Sequence, residues 1–219
     1  MTVVAVDGPV GSGKSTVARR VAGRLGYIYL DTGAMYRAVG LLAGEAGVSL
    51  DDEEAVVAVA RAARLRFDAE GHLFAGERDL STSIRSLEMG AAASRVSALP
   101  GVRRLLVEEQ RALGADADIV MEGRDIGTNV FPGAAVKIFL TARPEVRAAR
   151  RTEELRAKGD DVDEAVVLAA LEERDRRDTS RAVAPLRKAA DAVEVDTSEM
   201  TLDEVVDAVV DVVRAGVGS

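Results

Sequence analysis

The chain has 219 residues, 47% apolar and 30% charged, with a formal net charge of −8. It has no cysteine, which excludes disulfides and thiolate metal sites, and its single histidine, His72, is too few for a His-based metal cluster or a Ser-His-Asp triad. The acidic balance argues against general nucleic-acid binding. No apolar run reaches the ~18 residues of a membrane span, and no basic-then-apolar leader precedes residue 2, so a cytoplasmic protein is expected.

Val3–Val6 is an apolar run that predicts a buried strand. It runs into Gly8, Pro9, Val10, Gly11, Ser12, Gly13, Lys14 and Ser15, the pattern Gly-x-x-x-x-Gly-Lys-Ser/Thr. A helical pattern from Thr16 to Leu25 follows. Glycine lets backbone wrap an anion at dihedrals a Cβ would forbid. N–H groups of such a loop, and the helix start behind it, point at phosphates. Lys14 would bridge the phosphates and Ser15 would offer its hydroxyl to Mg²⁺.

Tyr27–Leu30 predicts a second strand, ending at Asp31-Thr32-Gly33-Ala34-Met35-Tyr36-Arg37, where another helix opens. Asp31 or Thr32 can cap it. Arg37 then lies near the carboxyl edge of the sheet, where open α/β sheets bind ligands. Ser49-Leu-Asp-Asp52 resembles a capping signature and leads into a helix to about Ala63. Leu65–Phe67, Leu73–Phe74 and Arg78–Leu80 predict three short antiparallel strands, with turns at Ala69–Gly71 and Ala75–Glu77. His72 falls in the turn Glu70-Gly71-His72 and is assigned a structural role. Helices are expected near 85–98 and 101–113, punctuated by Pro100.

Asp118–Met121 predicts a strand ending at Glu122-Gly123-Arg124-Asp125. An acidic residue there is where a P-loop protein holds Mg²⁺ or its water shell, and either Glu122 or Asp125 could serve. Val136–Leu140 is a further strand, and Pro144 starts a helix. Arg147, Arg150 and Arg151 share a face of that helix, extended by Arg156 and Lys158. A solvated face paired with Glu153 and Glu154 and a phosphate-clamping lid fit this equally well. A helix from about Asp163 carries Arg174, Asp178 and Arg181, on one face if it continues that far. A solvated ion-pair ladder is the alternative. Ala192–Val195 is the last strand, and Thr201–Glu204 forms a capping box for a final amphipathic helix.

These elements predict a one-domain α/β P-loop three-layer fold of about five parallel strands, with helices on both faces and a small three-stranded antiparallel insertion. The core would span about 1–32, 114–145 and 161–219, the insertion 33–113 and a lid 146–160. A GTPase base-recognition string is lacking, since the nearest, Ala157-Lys158-Gly159-Asp160, has no Asn or Thr before Lys. A large motor ATPase does not suit this length. A small-molecule kinase remains, with arginines for a second anionic substrate and a closing lid.

Over nearly its whole length the sequence resembles the bacterial cytidylate kinases, the (d)CMP branch of the nucleoside monophosphate kinases. The resemblance rests on Val6-Asp7-Gly8-Pro9 with the phosphate loop, Asp31–Arg37, Glu122-Gly-Arg-Asp-Ile-Gly-Thr128 and Arg174–Pro185. It implies that ATP with Mg²⁺ is held by residues Gly8 to Thr16 and by lid arginines Arg147, Arg150 and Arg151. It implies that Thr32, Arg37, Arg124 and Arg181 hold the acceptor phosphate of CMP or dCMP. Arg174 and Asp178 would meet the sugar, and Ser94, Arg103 and Asp125 the base, with Arg111 a competitor for Arg103. Lys14, Arg37, Arg124 and Arg181 would be catalytic, Ser15 the Mg²⁺ ligand and Glu122 its water-mediated partner. Relatives often carry Asp at 122, Val at 129 and Asp at 133, so Glu122, Asn129 and Gly133 depart from the pattern. A monomer that engages neither nucleic acid nor membrane is expected. The alternatives are a P-loop kinase for UMP or a small hydroxylated metabolite, and a non-catalytic nucleotide-binding switch.

Overall fold

A computed structural model describes residues 1–68, 70–157 and 159–218. Five parallel strands form the central sheet: β1 (Val3–Asp7), β2 (Ile28–Asp31), β6 (Ile119–Gly123), β7 (Val136–Thr141) and β8 (Val193–Asp196). Their order is β2-β6-β1-β7-β8. β3 (Leu65–Phe67), β4 (Leu73–Ala75) and β5 (Arg78–Asp79) make a separate antiparallel sheet, as expected.

The strands alternate sides, as the two-residue period requires. Val4 and Val6 face α1 (Lys14–Leu25) and α8 (Leu202–Val217), and they bury with Val17, Val21, Val206 and Val210. Ala5 faces the other way, with Leu30, Met121 and Val107 of α5 (Pro100–Leu113). Helices therefore cover both faces. A further core joins α2 (Thr32–Glu45), α3 (Glu53–Ala63), α4 (Leu87–Val96) and α5 through Met35, Val39, Val56, Val96 and Leu106. The remaining helices, α6 (Pro144–Arg156) and α7 (Glu164–Ser180), pack on each other through Ala148, Leu155, Val167 and Leu171.

β1 pairs with β6 on one side and β7 on the other. Chain order reverses at β1, and the crevice at its carboxyl end is where such sheets take ligands. The phosphate loop leaves β1 at this point. Gly8 has φ 151°, and a Cβ there would collide with the Leu140 carbonyl oxygen, so the loop can hug β7 only with glycine in this place.

Several boundaries differ from the sequence expectation. β6 extends through Glu122 and Gly123, because both pair in register with β1. α3 is capped by Asp52, whose side chain accepts from Ala55 N at 3.1 Å, and Ser49 lies outside it. α7 stops at Ser180, leaving Arg181 as its C-cap. Ile126–Val130 forms a π-helical turn that no periodicity in the sequence announces. The Thr201–Glu204 capping box is present. Of the expected turns and lid residues, Ala69 and Lys158 lie outside the described residues. Among the described residues no helix is long and apolar enough to cross a membrane.

Candidate active site

A cleft of about 960 Å³ opens at the carboxyl ends of β1, β2 and β6. Its walls carry Gly11 to Thr16, Thr32, Arg37, Ser94, Arg103, Glu122, Arg124, Asp125, Arg150, Arg151, Arg174, Asp178 and Arg181. Residues more than 160 positions apart in sequence thus meet in one space.

The phosphate-loop end is built first. Lys14 is 6% exposed, and its Nζ donates to Pro9 O at 2.6 Å and Ser12 Oγ at 3.3 Å. Burial, with the positive charges of Arg124 and Arg174, lowers its pKa to about 7, against the opposing pull of Glu122 and Asp7. Beside it Glu122 is buried, bonded by the Tyr29 hydroxyl and by the Ser15 side chain. Burial and the Asp31 charge push its carboxyl up. The Arg19 guanidinium stacks on the Tyr29 ring at 4.6 Å.

Asp31, the last residue of β2, caps α2 by accepting from Ala34 N at 2.9 Å. It also accepts from Arg37 Nη2 at 2.7 Å and Arg85 Nη1 at 3.1 Å. Burial pushes the Asp31 carboxyl up, but the two arginines outweigh it and the net shift is downward. The Thr32 hydroxyl donates to Glu122 O at 2.7 Å, locking the start of α2 to the end of β6.

The far end is organised by two carboxylates. Asp178 accepts from Arg124 Nε at 3.1 Å and Ser94 Oγ at 3.3 Å, with Arg174 Nε 3.9 Å away. Burial opposes its ionisation, but Arg124, Arg174 and Arg181 hold it below the usual range. Arg174 is itself lowered to about 9 by burial and by Arg124. Asp125 accepts from Arg103 Nη2 and from Asn129 Nδ2 at 3.1 Å. Arg181 donates to Ser97 Oγ at 3.1 Å and Ala184 O at 2.9 Å. The Nε groups of Arg37, Arg103, Arg174 and Arg181 are buried without a hydrogen-bond partner among the described residues. Arg37, Arg103, Arg124, Arg174 and Arg181 nevertheless line the cleft, and their planar guanidinium groups suit an oxygen-rich anion.

The three α6 arginines separate into different roles. Arg150 donates to Thr197 Oγ1 at 2.9 Å and Thr197 O at 2.7 Å, and Arg151 to Glu154 at 2.7 Å; both line the cleft. Arg147, expected among the phosphate clamps, turns inward to Ala142 O, Val10 O and Asp175 instead. Arg111 holds Val130 O and Asn129 O, so Arg103 alone of the two reaches Asp125.

Four functional side chains escaped the sequence reading. Asp7 is buried and accepts from Ile126 N and Gly127 N at 2.8 Å each, anchoring the π-turn to β1. Its placement, a carboxylate closing an apolar strand, was the available signal. Arg85 reaches Asp31, and Tyr29 and Asn129 support Glu122 and Asp125. The contacts of Arg85 and Tyr29 join distant elements and leave no local trace, while that of Asn129 spans four residues and depends on a helical turn that no pattern announces. His72, off the cleft, pairs with Asp68 at 3.0 Å across its turn.

Fold and cleft together define a P-loop phosphotransferase. The comparisons place it further. A family model described as cytidylate kinase matches residues 4–215. A cytidylate kinase of Pelotomaculum thermopropionicum is 50% identical over 217 residues, covering 97% of this chain and 96% of the relative. One from Solibacter usitatus is 46% identical over 217 residues, covering 98% and 93%. The chain belongs to the cytidylate kinase family. Among solved structures, a gluconokinase from Sinorhizobium meliloti 1021 superposes with TM-score 0.53 at 16% identity, covering 99% of this chain and 94% of that one. A shikimate kinase from Acinetobacter baumannii gives 0.50 at 12%, covering 98% and 94%. At these identities the likeness is one of fold.

Proposed function

We propose that the chain transfers the γ-phosphoryl of ATP directly, in line, to CMP or dCMP, giving ADP and CDP or dCDP. The observation that carries this reading is a cleft in which the phosphate loop and the arginines Arg37, Arg103, Arg124, Arg174 and Arg181 line one space. It is supported by relatives named cytidylate kinase at near-full coverage.

Gly8 to Thr16 would cradle the ATP phosphates, with Lys14 bridging them. Ser15 and Glu122 suit a divalent cation: they hydrogen-bond each other, and the buried Glu122 carboxyl, pushed up beside the Asp31 charge, would be relieved by positive charge. Bound Mg²⁺ would supply charge neutralisation at the phosphates. Thr32, Arg37, Arg124 and Arg181 would hold the acceptor phosphate. That phosphate is already ionised, so no strong base is needed, and catalysis is positioning with charge stabilisation by Lys14, Arg37, Arg124 and Arg181. Arg150 and Arg151 would serve ATP from the lid side, and Arg147 would position the loop. Residues 33–113 would form the monophosphate-binding region and 146–160 a lid on a single domain. A cytoplasmic monomer acting on small molecules alone is the assembly proposed.

Arg174 and Asp178 would take the sugar hydroxyls, and Ser94, Arg103 and Asp125 the base. Cytosine presents an amino donor at N4, which suits a carboxylate, and acceptors at O2 and N3, which suit Arg103 and Ser94. Uracil sets a carbonyl against Asp125 and is disfavoured. Product analysis by ³¹P NMR after mixing enzyme, Mg²⁺, ATP and CMP tests the reaction. CDP and ADP in equal amounts are expected. ADP with inorganic phosphate and no CDP would overturn it.

A further inference from the structure

We infer that Arg85 is a further ligand of the acceptor phosphate, acting as a pair with Arg37 across the shared carboxylate of Asp31. The inference rests on the role proposed above for Arg37. Arg85 sits between two fixed points. Ile84 before it is fully buried, packed with Ala34 and Ala38 of α2 and with Leu73 and Leu80. Ser86 after it caps α4, its hydroxyl accepting from Met89 N at 3.2 Å. The side chain between them enters the cleft and is 36% exposed. Arg85 Nη1 donates to Asp31 Oδ2 at 3.1 Å, and Arg37 Nη2 donates to that same oxygen at 2.7 Å. Arg85 Nε donates to Ser81 O at 3.2 Å. Among the described residues its Nη2 has no hydrogen-bond partner.

Asp31 offers one negative charge to two arginines, so the three side chains keep a positive surplus at the carboxyl edge of the sheet. The carboxylate is already served by Ala34 N and Arg37. A second ion pair, to a partner this exposed, adds little stability. An anion accounts for it better. Two guanidinium groups meeting at one oxygen bring their remaining N–H groups to one place, and a phosphate has oxygens enough for both. Arg85 also reaches the site from a different element than Arg37 does. It stands in the segment joining β5 to α4, and its carbonyl oxygen accepts from Arg151 Nη2 of α6 at 3.4 Å. A phosphate held by both arginines thus bridges α2 to that segment, at the point where α6 touches it.

Steady-state kinetics of wild type, Arg85→Met and Arg85→Lys test this, with KM for CMP, KM for ATP and competitive inhibition by cytidine, which lacks the phosphate. Arg85→Met keeps the stem and removes the charge. Arg85→Lys keeps the charge and loses the planar fork, so the test stands should the methionine variant not fold. In Arg85→Met the KM for CMP should rise ~10-fold or more, with kcat changed less, and Arg85→Lys should lie between it and wild type. KM for ATP and inhibition by cytidine should stay as in wild type. Variants that keep the wild-type KM for CMP overturn the inference alone. So does a loss of CMP and cytidine by the same factor, which would make Arg85 a support of the fold. A wild type that binds cytidine as well as CMP overturns the acceptor-phosphate reading of Arg37 and the inference with it.

Discussion

Arg147 of α6 pairs with Asp175 of α7 at 2.5 Å while donating to the Val10 carbonyl oxygen at 3.0 Å. One buried guanidinium therefore ties the phosphate loop to two helices. The loop approaches so closely that a Cβ on Gly11 would lie 3.0 Å from Arg147 Cβ. Arg147→Ala leaves Asp175 and Val10 O without their shared donor. A loss of about 3 kcal/mol of stability is expected, since breaking one side of a buried pair costs ~3–5 kcal/mol. Arg147→Lys should recover little of it, because one ammonium cannot span three separated acceptors. Urea unfolding measures this; an alanine variant within 1 kcal/mol of wild type would count against the clip (a threshold of about one ordinary hydrogen bond).

Lys14→Met keeps the bulk of the buried stem and removes its charge. Turnover with ATP and CMP should fall ~10²-fold or more, while thermal stability stays near or above wild type. Near-normal kcat in this variant would remove Lys14 from the chemistry.

The lowered pKa of Lys14, about 7, has a thermodynamic consequence. Above pH 8 the free amine is largely neutral. A polyphosphate favours the charged form and raises its pKa, so nucleotide binding should take up a proton. Affinity for ATP should accordingly weaken as pH rises above 7. Calorimetry at pH 8.5 in two buffers of different ionisation enthalpy reports the uptake directly; identical binding heats in both would contradict it.

Asp7 is pushed from 3.8 up to about 6 by burial, with Asp125 adding, against the Gly127 and Ile126 N–H groups and Lys14. The folded state therefore binds the proton more tightly than the unfolded chain. The resulting stability is fully present below about pH 4 and is lost as pH rises through about 6, amounting to about 3 kcal/mol. Asp7→Asn lacks this titration. The stability of wild type relative to Asp7→Asn should thus fall between pH 4 and pH 7; parallel profiles would show that Asp7 is already ionised at pH 4.

Local signals carried most of the fold. The strand, glycine loop and helix around Lys14 follow one another in sequence, so their geometry is readable without tertiary knowledge. Asp31 and Glu122 were legible because strand ends in parallel sheets point into one crevice. Arg147, Arg150 and Arg151 share a helix face, and only packing against α7 turns the first inward while the other two line the cleft. Arg181 lies past the end of α7, yet it enters the cleft because the chain turns back at Ala184, where φ is 49°. Asn129 stands four residues after Asp125, a spacing that brings the two side chains together only where the chain is helical, and no periodicity in the sequence announces a helical turn there.

Acceptor selectivity tests the central claim most directly. ADP release is followed with Mg²⁺-ATP and one acceptor at a time: CMP, dCMP, UMP, AMP, GMP and shikimate. Strong turnover with CMP and dCMP and little with the others is the expected result. Preference for UMP or for a non-nucleotide would leave the fold standing and contradict the acceptor site built around Asp125, and ATP binding without turnover on any acceptor would contradict catalysis itself.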